Sequence, residues 1–104
     1  IMKQEPFGPL VPILSFKDRD EVIERANKND LGLASYIYTN SLENAHKVSD
    51  QMETGTCAVN TQAVAFAEVP FGGIKQTGYG REGGSMAIKD YLNIKYVHFG
   101  IHYK

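Results

Sequence analysis

A lone thiol, a carboxylate next to an aromatic ring, a pair of histidines and a run of glycines are the features of this chain with chemical potential. Cys57 is the single cysteine, and it stands in Gly55-Thr56-Cys57-Ala58-Val59-Asn60. No histidine or basic residue lies close in sequence to stabilise a thiolate, so the pattern assigns Cys57 as a buried, inert thiol and not as a nucleophile. His98 and His102 are four residues apart but fall in an expected strand and tail, and no cysteine or carboxylate completes a ligand set. The sequence therefore offers no metal site. His46 reads as a surface residue in the middle of a helix.

Glu5-Pro6-Phe7-Gly8-Pro9 sets a carboxylate and a ring on one stiff stretch, because Pro6 holds Glu5 extended and Pro9 does the same to Gly8. Such a stretch can present both groups to a ligand; the plainer reading is a rigid turn with Phe7 buried. Gly78, Gly80 and Gly83 satisfy the spacing of a dinucleotide-binding glycine fingerprint. That fingerprint works when a strand delivers the glycines to a helix N-terminus and an acidic residue follows about 20 positions later. Here no strand is expected before the glycines, and the chain near Tyr103 has no carboxylate. The glycines are better explained by positive φ or close backbone packing ahead of a helix.

Of the elements that must hold these groups, the first is residues 10–16 (LVPILSF), a continuous apolar run of strand length, with Pro12 favouring an edge or a strand start. Asp18 with Glu21 has helix-capping spacing, and Val22, Ile23 and Ala26 make a stripe, so residues 19–28 are expected to be helical. Residues 34–38 (ASYIY) read as a strand. Asn40 with Glu43 gives a second cap for a helix over residues 41–52, striped by Leu42, Ala45, Val48 and Met52. Residues 56–60 (TCAVN) read as a third strand, which completes a βαβαβ run and predicts an α/β fold with a parallel sheet. Residues 61–81 have no clear period, and an irregular stretch of that length points to function. A helix over residues 82–92, with Ile88, Tyr91 and Leu92 on one face, and a strand over residues 94–99 (IKYVHF) close the chain. That last strand has no partner nearby in sequence and must pair elsewhere or with another chain.

The 104 residues allow at most one domain. With 42% hydrophobic and 22% charged residues, the composition is globular. A formal charge of −1 leaves no broad basic surface for a phosphate backbone, so nucleic acid is not an expected partner. No apolar run approaches the roughly 20 residues of a membrane span, no leader pattern precedes the first motif, and one cysteine forms no internal disulfide, which together make the cytoplasm the default location. The chain begins Ile1-Met2, without an initiator methionine at position 1, and reads as an excerpt.

Glu5-Pro6-Phe7-Gly8-Pro9, Val59-Asn60, Pro70-Phe71-Gly72-Gly73 with Lys75, and Gly78-Tyr79-Gly80-Arg81-Glu82 together resemble, in order and spacing, the C-terminal stretch of the aldehyde dehydrogenase superfamily. The resemblance covers nearly the whole chain. It implies a parent enzyme that oxidises aldehydes to acids with NAD or NADP, in which a cysteine thiolate attacks the carbonyl, hydride passes to the nicotinamide and glutamate-activated water hydrolyses the thioester. Both of those groups would lie upstream of Ile1, so the chain alone is expected to be inactive, with no catalytic residue of its own. It further implies that Glu5 accepts hydrogen bonds from the nicotinamide-ribose hydroxyls, that Phe7 packs near the nicotinamide ring, and that Phe71 lines the substrate tunnel.

By the same resemblance, residues 1–92 would be the C-terminal part of the catalytic domain and residues 93–104 an oligomerisation strand and tail, implying a homodimer or homotetramer. The form Glu5-Pro6-Phe7-Gly8-Pro9 and the ending Asp90-Tyr91-Leu92-Asn93-Ile94-Lys95-Tyr96-Val97 look most similar to the succinate-semialdehyde dehydrogenase branch. Where that branch carries a serine for the substrate carboxylate, this chain has Ala65. The apolar surroundings Ala63-Val64-Ala65-Phe66-Ala67 suit a hydrophobic aldehyde better, and the resemblance implies that Phe66 and Ala65 line the substrate tunnel with Phe71. Two readings from other classes stand beside the enzyme: a stand-alone nucleotide-binding module using Gly78 to Gly83, and a non-catalytic piece that docks through its last strand.

Overall fold

In the computed structural model, residues 4–101 are described; the Ile1-Met2 start, His102 and Tyr103 lie outside them. The centre of the molecule is a strand-helix-strand unit. Helix α1 (Arg19–Asn27) precedes a two-residue strand β1 (Leu31–Gly32), strand β2 (Ala34–Ile37), helix α2 (Leu42–Gln51) and strand β3 (Thr56–Val59). A two-residue strand β4 (Ile74–Lys75) and a 3₁₀ helix η1 (Ala87–Tyr91) follow. β2 and β3 pair in parallel, with Ala34 opposite Thr56 and Ile37 opposite Val59, and α2 is the crossover between them. β1 and β4 pair antiparallel, Leu31 with Lys75 and Gly32 with Ile74.

The two α-helices form where local chemistry favours them. Asp18 Oδ1 accepts the Glu21 amide at 2.9 Å and satisfies one of the free donors at the start of α1. The Glu21 carboxylate does reach back, but to the amide of Lys17 at 2.8 Å, one residue before the cap. Pairs four apart, Glu21 with Arg25 and Glu24 with Lys28, brace the exposed side. At α2 the cap is Ser41, whose Oγ accepts the Asn44 amide at 3.2 Å, and not Asn40. The expected stripe is half-covered: Ala45, Val48 and Met52 are half-buried while Leu42 is exposed.

Asn27 joins the ends of the helices. Its Nδ2 donates to the Gln51 carbonyl at 2.7 Å and its Oδ1 accepts the Glu53 amide at 2.9 Å. Ile23 of α1 and Ala58 of β3 are the buried apolar residues among those described, and the molecule extends 78 × 32 × 25 Å. Its radius of gyration is 20.0 Å, against about 13 Å for a compact domain of similar length.

Three expected elements differ. The βαβαβ run is present only as β2-α2-β3, because residues 10–16 form no strand: they have no ladder partner among the described residues, and Val11 and Ile13 are more than 80% exposed. Residues 94–99 likewise form no strand, and Ile94, Tyr96 and Phe99 are exposed. A strand is completed by the hydrogen bonds of a neighbour, and neither run finds one among the described residues. The expected helix over residues 82–92 shrinks to η1. Gly83 and Gly84 hold φ of 69° and 62°, outside the helical range, and are packed against the turn at residues 66–70. A Cβ on Gly83 would come within 2.7 Å of the Val69 carbonyl oxygen, and the Gly84 amide donates to the Ala67 carbonyl at 2.8 Å.

Candidate functional site

In open α/β sheets ligands gather beyond the carboxyl ends of parallel strands, and here β3 ends at Val59 and is followed by Asn60. Its backbone has φ 55°, a left-handed value that asparagine tolerates better than most residues. Its amide donates to the Ile37 carbonyl at 2.8 Å, its Oδ1 accepts the Thr39 amide at 2.9 Å, and its Nδ2 donates to the Thr39 carbonyl at 2.9 Å. The side chain therefore extends the β2-β3 ladder by one rung and turns the chain out of the sheet. Residues 61–70 follow, carrying the two expected tunnel residues Ala65 and Phe66, both exposed. A turn closed by the Val69 amide on the Phe66 carbonyl at 3.3 Å returns the chain to Phe71.

Phe71 is half-buried, and an isolated antiparallel bridge holds its backbone. Its amide donates to the Glu82 carbonyl, and the Glu82 amide donates back, each at 2.7 Å. Phe71, Leu33, Tyr79, Arg81 and Tyr91 line a cleft of about 600 Å³. Glycine packing makes this arrangement possible. A Cβ on Gly55 would overlap the Gly72 carbonyl oxygen, and one on Gly73 would overlap the side chain of Thr77. The Pro70-Phe71-Gly72-Gly73 segment thus seats directly on the backbone at the start of β3.

Thr77 Oγ1 accepts the Gly32 amide at 2.8 Å and ties the far side of the loop to β1. Lys75, with φ 56°, donates to the carbonyls of Asn27 and Asn29 at 2.7 and 3.1 Å and forms an ion pair with Glu53. Its ammonium thereby satisfies carbonyls at the C-terminal end of α1. A second cleft of about 460 Å³ beside it is lined by Asn27, Asp30, Lys75, Gln76 and Tyr79.

Glu5 and Phe7 are exposed, Phe7 at 96%, on a segment tightened by the Gly8 amide on the Pro6 carbonyl at 3.1 Å. The expectation that a rigid turn would bury Phe7 does not hold. Among the described residues the Glu5 carboxylate takes part in no ion pair, and neither Glu5 nor Phe7 lines the cleft around Phe71. The structure thus brings Phe71 together with Arg81 and Tyr79 and leaves Glu5, Phe7, Ala65 and Phe66 open to the outside.

Cys57 lies in β3 opposite Ser35 and is half-buried, not buried, because it belongs to a sheet of only two strands. His46 is exposed as expected. The ring of His98 stacks on Tyr96 with centroids 6.4 Å apart, and its Nδ1 lies 3.2 Å from the tyrosine hydroxyl. Among the described residues no group of three or more His, Cys, Asp or Glu is placed to hold a metal, and no helix is long and apolar enough to cross a membrane.

Gly78, Gly80 and Gly83 all take positive φ, at 116°, 90° and 69°. They lead into the Phe71–Glu82 bridge and not into an α-helix N-terminus, so the backbone amides of a phosphate cradle are not assembled. Sequence reasoning missed Arg81. Its Nη1 donates to the carbonyls of Gly73 and Gly80, both at 2.8 Å, and its amide donates to Asp90 Oδ2 at 2.9 Å. An arginine between two glycine pairs is the only signal in the chain, since glycine-rich backbone exposes carbonyls that a guanidinium can reach.

Known proteins share this sequence and fold. Residues 1–97 match the model of the aldehyde dehydrogenase family. The chain is 48% identical over 100 residues to 3-sulfolactaldehyde dehydrogenase from Pseudomonas putida, covering 96% of this chain and 21% of that protein. It is 44% identical over 101 residues to the NADP(+) succinate-semialdehyde dehydrogenase of Escherichia coli K12, covering 97% and 21%. It superposes with a TM-score of 0.86 and 43% identity on an NAD+ complex of an aldehyde dehydrogenase from Bacillus cereus, covering 89% of this chain and 19% of that one. The chain thus spans about a fifth of the length of the proteins it matches.

Proposed function

The chain belongs to the aldehyde dehydrogenase family, and from that premise we propose that residues 1–92 act as the C-terminal part of the catalytic domain of an enzyme oxidising an aldehyde to a carboxylic acid. The family match across residues 1–97 carries this reading. The acceptor is NAD or NADP, which takes the hydride when bound.

The residues of this chain suit that cofactor. Glu5 is an exposed carboxylate on a proline-braced segment beside an exposed ring, a donor-accepting group and a flat apolar surface for a ribose and a nicotinamide. Glu5 accepts from the ribose hydroxyls, and Phe7 restrains the ring. Phe71, Phe66 and Ala65 form the substrate wall. Cys57, set in β3, is not the nucleophile, so the 104-residue chain by itself is inactive. Residues 94–99 pair with a second copy as an oligomerisation strand in a homodimer or homotetramer, supported by their alternating β-rich sequence and exposed apolar side chains.

The substrate favoured is an uncharged aldehyde, because Glu68 is the one charged residue in positions 61–70 and no cation there awaits a carboxylate. The second reading, succinate semialdehyde, is favoured by the 44% identity to the Escherichia coli enzyme. Assaying the full-length protein for reduced nicotinamide, with unbranched aldehydes and succinate semialdehyde side by side, separates the two. Glu5→Gln should raise the cofactor KM about tenfold, the scale of a hydrogen bond to a charged group. Absence of aldehyde-dependent reduction with either cofactor would sink the proposal.

A further inference from the structure

We propose that Arg81 is a positioning residue that sets the location of the Phe71 ring and, through it, the aldehyde chain length the enzyme prefers. This rests on the reading of Phe71 as part of the substrate wall. Four contacts converge on Arg81. One guanidinium nitrogen, Nη1, holds the carbonyls of Gly73 and Gly80, which bracket the loop over residues 74–79. The side-chain stem packs on Gly72, the residue after Phe71, so closely that a Cβ there would lie 2.8 Å from Arg81 Cδ. The main-chain amide is held by Asp90 of η1 at 2.9 Å. The next residue, Glu82, makes the two-way bridge to Phe71.

Phe71 is therefore bounded on its C-terminal side by the Arg81 stem and across the bridge by the Arg81 main chain. The guanidinium locks both against the loop. Asp90 extends the lock to η1, which supplies Tyr91 to the same cleft. Lysine does not replace this arrangement, because its ammonium stands one bond nearer the main chain than Nη1 and rides on a more flexible stem, so it does not reach both carbonyls from the same position. Loosening the lock leaves the family chemistry untouched and changes the shape of the cleft at Phe71, so the effect falls on substrate choice.

The test is a double-mutant cycle in the full-length dehydrogenase, reading kcat/KM across a series of unbranched aldehydes of increasing length for Phe71→Ala, Arg81→Lys and the double variant. Arg81→Lys is expected to shift the ratio of long- to short-chain kcat/KM about tenfold, and the shift should vanish when Phe71 is already alanine. Asp90→Asn, which keeps the shape and weakens the tether on the Arg81 amide, should shift the ratio in the same direction by less. A shift of equal size with and without Phe71, or an equal loss for every aldehyde, overturns the inference while leaving the substrate-wall reading in place. If Phe71→Ala itself leaves the series unchanged, the wall reading fails first and the inference falls with it. Should Arg81→Lys not fold, the same cycle is run with Asp90→Asn, and a shift in the ratio that does not depend on Phe71, or no shift, overturns the inference.

Discussion

Residues 56–59 and residues 94–99 are both short stretches rich in β-branched or aromatic side chains, but only the first is a strand. β3 has β2 alongside it in parallel register, α2 across one face and Asn60 adding a rung at its end. Residues 94–99 have exposed side chains and no ladder partner among the described residues. β propensity thus describes a surface suited to pairing, and the neighbour decides whether the pairing exists.

The most direct challenge to this contrast is to remove the second stretch. Ending the full-length protein after Asn93 is expected to convert the assembly to a smaller one, measured as a drop in mass by size exclusion with light scattering. An unchanged mass would mean that residues 94–99 pair inside their own chain. Damage at the first stretch should appear as lost stability. Gly55→Ala forces a methyl into the Gly72 carbonyl at the start of β3, at a cost of about 3 kcal/mol in urea unfolding. A cost near zero would show that the glycine packing is slack.

Asn60 separates conformation from hydrogen bonding. Asn60→Ala strains the left-handed backbone and removes both bonds to Thr39, an expected loss of about 2 kcal/mol. Asn60→Gly keeps the φ and should lose about 1 kcal/mol. Equal losses would place the whole effect in the hydrogen bonds.

The smallest expected effect lies on the solvent side of α2. The Lys47 ammonium hydrogen-bonds Glu43 at 2.6 Å, and with its charge holds the carboxyl below its ordinary value. Lowering a carboxyl in the folded state adds stability above the ordinary carboxylate range, and that contribution is lost as pH falls through the lowered value. Lys47→Gln should therefore raise the Glu43 midpoint in a carboxyl-carbon NMR titration. An unmoved midpoint would show that the pair is not held in solution.

The order of the central elements is legible in the residues, as are the Asp18 cap and the family resemblance carried by short motifs. The spacing of Gly78, Gly80 and Gly83 is separable from a phosphate-binding turn by the missing acidic residue near Tyr103, although the two-residue β4 does precede the glycines, against the expectation that no strand would. Other assignments depend on geometry that spacing does not carry. Asn40 and Ser41 both have capping side chains, and the path of the chain out of β2 selects Ser41. Glu5 and Phe71 are both candidates by motif, but one is exposed and the other is held at a cleft.

The residues alone settle the features that rest on bonds within a turn or two of chain: both α-helices, their charged braces and the turn chemistry between them. Only the assembled fold selects which apolar runs become strands, stops a helix by packing Gly83 and Gly84 under residues 66–70, and sets Arg81 to clamp two carbonyls beside Phe71. The cause is range. A helical hydrogen bond finds its partner four residues away, whereas a strand, a glycine contact or a guanidinium clamp takes its partner from wherever the fold brings one.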